Sequence, residues 1–307
     1  MLRSVMDLMM QFFMMAALGY FLKKKKIIDD TMQKGLSNLL LKAIVPFSIL
    51  ASSNNAFSKE MSKSILGTAI IAGCFYIFAI LVSYVISRHL NINENKKKIF
   101  LMGNVFSNQS FIGFPIAQEL LGYGGLLCAV IFNLYYNLFF FTLGIQYISG
   151  KKKFDIRAMF TNFLLIVSIV SIIIYFSPFR FPKVVFNVFS RIGSMNLPIS
   201  MMIIGCNIAD SNVASILKDK TVYLISLMRL IIFPLVVLFV GRALGGNVFA
   251  IKVCTVMAAL PVGTLNVLLA EEQNCEPKFA AAAVVQSMVL MCISLPIIVL
   301  IMNTILK

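Results

Sequence analysis

The sequence predicts an all-α integral membrane fold: about ten transmembrane helices in two inverted five-helix repeats, with broken, crossing fourth and ninth helices. Three observations lead there. Of 307 residues, 60% are hydrophobic and only 13% are charged, with a mean hydropathy of +0.92. A soluble domain carries about 45–50% apolar and about 25% charged residues, so much of this apolar surface has to face lipid. The apolar residues also fall into runs of the length that crosses a bilayer, about 20 residues. Finally, prolines recur in corresponding runs of the two halves.

The runs are 4–22, 34–52, 63–87, 98–121 and 125–149, then 157–177, 184–209, 220–242, 247–271 and 278–306. The first, from Val5 to Leu22, lacks a small-residue cleavage site and is followed at once by Lys23–Lys26, so it reads as an anchor and not a signal peptide. In the seventh, Val184–Arg191 is amphipathic, which suits the interface ahead of a span starting near Ile192. An even number of spans puts both termini on one side. Sixteen Lys and Arg fall in the loops between odd and even spans, and nine on the opposite side. The positive-inside rule therefore places the first set in the cytoplasm of the cell membrane and both termini outside.

Residues 1–150 form the first five-span repeat and residues 151–307 the second. Pro46 and Pro198 lie in the second span of each half. Pro115 and Pro261 lie in the fourth, each near a glycine, Gly113 and Gly263. Five is odd, so the second half enters the membrane in the opposite sense, an architecture common among secondary transporters.

Proline inside a helix removes a backbone hydrogen bond and clashes with the preceding turn. In lipid the freed groups need protein or a water-lined cavity. Pro115 and Pro261 are thus read as helix breaks. Asn104, Ser107, Asn108, Gln109 and Ser110 precede the first, and Thr264 and Asn266 follow the second. Where two broken helices cross, their half-helix N-termini present free N–H groups and positive dipole ends to one spot, which favours an anion. The structural alternative is a pair of kinks with helix–helix hydrogen bonds.

The segment Asn108-x-x-Phe111-x-Gly113-x-Pro115 resembles the fourth-helix motif of the auxin efflux carrier family, which includes plant carriers and bacterial malate-type permeases. Pro261-x-x-x-x-Asn266-x-x-x-Ala270 is similar to the family's ninth helix, and Tyr136-Asn137 ahead of Thr142-Leu143-Gly144 to its fifth. The resemblance implies ten helices with crossed fourth and ninth members, and scaffold and transport parts interleaved between the repeats. It also implies elevator-type movement of a small organic anion, such as a dicarboxylate or an auxin-like acid. It carries substrate-site roles to Asn108 and Asn137 and crossover roles to Pro115 and Pro261, and Asn266 matches its bacterial branch better than the plant one. Asn266 joins the substrate-site candidates, and Gly113 and Gly263 join the crossover by their place beside the prolines. A homodimer through scaffold helices is also implied.

Ionisable residues inside spans are costly and become functional candidates. Lys42, one turn before Pro46, either meets an anionic substrate or stands in place of a coupling cation; snorkelling or an ion pair is the structural alternative. Glu119, a turn past Pro115, is a candidate for proton or ion coupling, with H+ or Na+ as the ion. Arg229 and Asp7 read as structural. A single histidine, His89, and six scattered cysteines offer neither a catalytic triad nor a metal site, and no phosphate-binding loop is present. The expectation is therefore no enzyme, no cofactor and no metal. The net charge of +15 sits in short clusters between apolar runs, as topogenic charge does, and predicts no nucleic-acid partner. The other readings are a sodium-coupled symporter of the bile-acid type, a cation/proton antiporter, and a membrane sensor that binds ligand without moving it. The lack of Asp or Glu in the fifth span argues against the antiporter.

Overall fold

The structure is a computed structural model that describes residues 2–54, 57–150, 161–210 and 219–306. Every named element among them is helical. In order they are α1 (Leu2–Lys24), α2 (Asp30–Ser52), α3 (Lys59–His89), α4 (Glu94–Val105) and α5 (Gln109–Ser149). After these come α6 (Phe163–Phe176), α7 (Lys183–Ser194), α8 (Asn196–Asp210), α9 (Lys220–Ala243), α10 (Val248–Ala258), α11 (Leu265–Glu272) and α12 (Pro277–Ile305). Among the described residues, α2, α3, α5, α7 with α8, α9 and α12 give six stretches long and apolar enough to cross a membrane, while α6 and α10 are shorter apolar helices.

Side-chain caps set many helix starts. Asp29, Ser58, Asn93, Asn162, Asp219 and Asn247 each accept a backbone N–H from the first turn of the following helix. Within α5, Gly122 takes φ 69°, ψ −168° and divides the helix into two limbs. The expected fourth and fifth spans therefore run into one another through a single glycine. The sequence reading of a sixth span from 157 falls partly outside the described residues. The amphipathic Val184–Arg191 belongs to α7, whose Phe189 ring packs 5.0 Å from Phe47 of α2.

The prolines act differently from the sequence expectation. Pro46, Pro115 and Pro234 each follow a π-helical turn: Leu40–Ile44, Gln109–Gly113 and Met228–Ile232. In each turn the N–H just before the proline reaches back five residues, as from Val45 to Leu40. The extra residue widens the turn where the pyrrolidine ring would meet a carbonyl, so the helix continues through the proline. Pro115 is therefore not a break.

Packing is closest between α1 and α8. A Cβ on Gly19 would lie 2.1 Å from the Met202 carbonyl oxygen, and one on Gly205 1.9 Å from that of Ala16. Such backbone contact is what small residues permit between helices in lipid. Polar contacts then gather at two ends of the bundle. At one, Lys23 pairs with Asp30 and Asp210, Lys96 with Asp219 at 3.2 Å, and Asn93 donates to Glu276 at 2.7 Å. At the other, the Ser58 N–H donates to the Tyr175 hydroxyl at 3.2 Å and Ser64 to Asn247 at 3.1 Å.

Candidate functional site

α4 stops where Phe106 leaves helical geometry (φ −105°, ψ 99°), and α5 starts at Gln109. α10 stops at Ala258 and α11 starts at Leu265. The two non-helical stretches cross and pair as one antiparallel bridge, with Ser107 opposite Val262. The Asn108 N–H donates to the Pro261 carbonyl at 2.9 Å, and the Gly263 N–H donates to the Phe106 carbonyl at 3.0 Å. A broken helix in lipid must satisfy its freed backbone groups internally; here each break supplies partners for the other. Gly263 is required by proximity, since a Cβ there would lie 2.9 Å from the Ser107 carbonyl oxygen.

On one side of the bridge two helix C-termini converge on Arg229, which is fully buried. Its Nε donates to the Leu260 carbonyl at 2.9 Å and its Nη1 to the Asn104 carbonyl at 2.8 Å. The guanidinium also lies 5.8 Å from the centroid of the Phe75 ring. Each helix C-terminus carries about half a negative charge. Two such ends offset one guanidinium, which makes no ion pair among the described residues. Asn266 ties the same knot: its Nδ2 donates to the carbonyls of Phe106 at 2.8 Å and Gly263 at 3.0 Å.

On the other side, the starts of α5 and α11 border a cavity of about 260 Å³. Ser110 and Phe111 come from the first turn of α5, and Thr264 and Leu265 from the beginning of α11. First-turn N–H groups lack intrahelical acceptors, so both positive helix ends border this space. Asn108 lines it as well. Its backbone is committed to the crossing, but its side-chain amide, on a residue only 5% exposed, has no hydrogen bond among the described residues.

The second limb of α5 adds an ordered run of amides. Asn137 donates to Asn133 Oδ1 at 2.9 Å, Asn133 donates to Gln109 Oε1 at 3.1 Å, and Gln109 Nε2 donates to the Tyr76 hydroxyl. Each donor fixes the orientation of the next amide. Lys42, in the π turn of α2, is the one charged side chain in the described lining. It makes no ion pair among the described residues, and no Asp or Glu lines the cavity there.

The structure therefore sorts the sequence candidates. Asn108, Asn137, Ser110, Lys42 and Gly263 line the cavity. Asn104 and Asn266 are buried in the crossing, where their backbone or side chains hold it together. Pro261 sits in the break itself and supplies the carbonyl that Asn108 engages. Gly113 packs against Leu260, where a Cβ would come within 2.5 Å of Leu260 Cδ1. Pro115 lies inside continuous helix beyond it, so it and Pro261 are not equivalent in the register of the bridge. Glu119 is exposed and away from the cavity. Asn133, Asn162 and the role of Arg229 went unseen in the sequence. Asn133 alone left a signal, one turn before Asn137 on the same helix face.

Comparison with known proteins gives the family. Residues 4–299 match the family described as membrane transport protein. The chain is 22% identical over 290 residues to an uncharacterized transporter of Methanocaldococcus jannaschii, covering 91% of this chain and 92% of that one. It is 23% identical over 289 residues to an uncharacterized transporter of Methanothermobacter thermautotrophicus, again covering 91% and 92%. A match across nearly the whole chain settles the family: this multi-pass membrane protein belongs to the membrane transport protein family, the family of the auxin efflux carriers.

Proposed function

We propose that this transporter carries a small organic anion across the cytoplasmic membrane, bound in the cavity beside the helix crossing. One observation carries the reading. The described cavity wall combines two half-helix N-termini with the unpaired Lys42 and contains no carboxylate. Positive dipole ends and a lone cation favour an anion, whereas a cation/proton antiporter would need acidic side chains here. At about 260 Å³ the space falls just below the roughly 300–1,000 Å³ of pockets for drug-sized ligands, which suits a dicarboxylate or a compact aromatic acid. The Asn108 amide, unpartnered among the described residues, and the remaining side-chain N–H of Asn133 would supply neutral donors to the same solute.

The chain arrangement in this reading is ten passes in two inverted halves, 1–150 and 151–307, with both termini outside. It is supported by the reciprocal hydrogen bonds around Ser107 and Val262, which relate one broken helix to the other by a local two-fold. Movement is of the elevator type. The body built on α1, α2 and α6–α8 contributes Leu41, Lys42, Asn162, Phe163 and Leu164 to the described cavity wall, and the body built on the crossing contributes the rest, so the solute sits on the seam. The solute gradient, the membrane potential or a coupled ion drives it, since the sequence has no phosphate-binding loop.

Proteoliposome uptake of labelled small carboxylates tests the proposal, with a thermal-shift screen to choose the solutes. Saturable accumulation that a competing carboxylate suppresses is the expected result. Binding without movement under any gradient would make the protein a sensor and end the carrier reading.

A further inference from the structure

A second cavity, of about 360 Å³, lies between α3, α4 and α5, apart from the site described above. Its inner end reaches Phe106 at the crossing. Its outer end lies at Tyr84, Tyr147 and Gly150, where α3 and α5 end and α4 begins. From Leu143 to Gly150 the wall runs seven residues along α5, about 10 Å at 1.5 Å per residue. The walls are otherwise apolar, including Ile80, Leu101 and Leu143. One polar group inside stands out: Gln146 Nε2 is buried and has no hydrogen-bond partner among the described residues.

Two cations stand at the outer end. Arg88 donates to the Tyr84 hydroxyl at 2.9 Å and sits 5.7 Å from the centroid of its ring. Lys98 donates to the Ile148 carbonyl at 3.2 Å, beside Tyr147. Neither forms an ion pair among the described residues. The α5 wall here also contains the π turn Phe140–Gly144, the one described π turn with no proline after it. At its end Gly144 packs on Phe106, where a Cβ would lie 2.9 Å from the ring. The cavity thus abuts the residue whose carbonyl closes the helix crossing.

We infer that this cavity is a binding site for one anionic phospholipid, with an acyl chain between α3, α4 and α5 and the headgroup at Arg88 and Lys98. An elongated apolar slot, two interfacial tyrosines and two cations at one membrane face, whose neighbouring Glu94 carboxylate pairs with Lys97 at 2.8 Å, are the features that select such a lipid over a zwitterionic one. The inward-facing Gln146 amide meets the ester region near the slot's mouth.

Native mass spectrometry of the detergent-purified full chain provides the test, with phosphatidylglycerol and phosphatidylcholine of identical acyl chains as probes. One phosphatidylglycerol should be retained per chain. The Arg88→Gln/Lys98→Gln variant should bind it on the order of thirtyfold more weakly. Leu143→Trp, which fills the slot while keeping both charges, should also displace it, so a folding defect in the double variant would not leave the matter open. Equal retention of the two lipids, or undiminished retention of phosphatidylglycerol by Leu143→Trp, overturns the assignment. So does retention of free oleate in place of either phospholipid.

Discussion

Asn108 and Arg229 both act at the same bridge and should fail in opposite ways. The Asn108 backbone holds the crossing, whereas its side-chain amide has no hydrogen bond among the described residues. Asn108→Ala should leave the melting temperature unchanged and lower uptake about 10- to 100-fold, the range for losing a hydrogen bond of about 1.5–3 kcal/mol to a charged solute. Normal uptake by a folded Asn108→Ala protein would remove the proposed site. Arg229 carries carbonyls from both broken helices. Arg229→Met leaves those acceptors buried and unpaired, at about 1–3 kcal/mol each, so detergent melting should drop steeply. Arg229→Lys should recover only part, because an ammonium lacks the fork that reaches two carbonyls at once. Equal melting for Met and Lys would show that the guanidinium geometry is irrelevant. Asn108 was legible in the sequence because it opens the polar stretch ahead of Gly113 and Pro115. Arg229 reads as structural from the sequence, but its partners do not: they are carbonyls 31 and 125 residues away, and carbonyls leave no trace in residue identity.

The proline-bearing helices separate two devices that look alike in sequence. Pro115 and Pro261 both interrupt apolar runs, yet only Pro261 stands in a break. The π turn at Gln109–Gly113 absorbs Pro115, and the break forms earlier, at Phe106–Asn108, where no proline marks it. Extra residues in a turn depend on packing around it, so single-chain periodicity does not reveal them. The prediction follows from the geometry. Pro115→Ala restores an N–H inside continuous helix and should change uptake and melting little. Gly263→Ala puts a methyl group 2.9 Å from the Ser107 carbonyl oxygen, with backbone on both sides and no flexible side chain to yield. That variant should lose uptake and melt several degrees lower. The ranking is checked by measuring both variants in one detergent, and a Pro115→Ala defect larger than that of Gly263→Ala would return the break to Pro115.

At the scale of the molecule, composition was enough to make the chain a helical membrane protein, because 60% apolar residues in 307 exceed what a soluble core can hide. Orientation depends on subtler terms. The bias of Lys and Arg between the two faces is strong in the first half and weak in the second. The contacts at helix ends bear on the same question. Lys23 at the end of α1 meets the start of α2 and the end of α8, while Lys96 near the start of α4 meets the start of α9. The end of α1 thus lies beside the start of α2 and the end of α8, and the start of α4 beside the start of α9, as the proposed alternation of ten passes requires. Surface charge then orients the bundle as a unit, so the strongly biased first half would also place the weakly biased second half. Cysteines introduced at exposed Lys24 and Lys59, in a background with Cys74 and Cys292 replaced by Ala, test that coupling. A membrane-impermeant maleimide applied to intact cells should label Lys59→Cys and spare Lys24→Cys, and opening the membrane should expose the latter. Adding Lys278→Cys to the series reads the second half directly: it should follow Lys24→Cys. If it followed Lys59→Cys instead, the two halves would not be locked in opposite senses, and the inverted repeat would have to be abandoned even with the transport function intact.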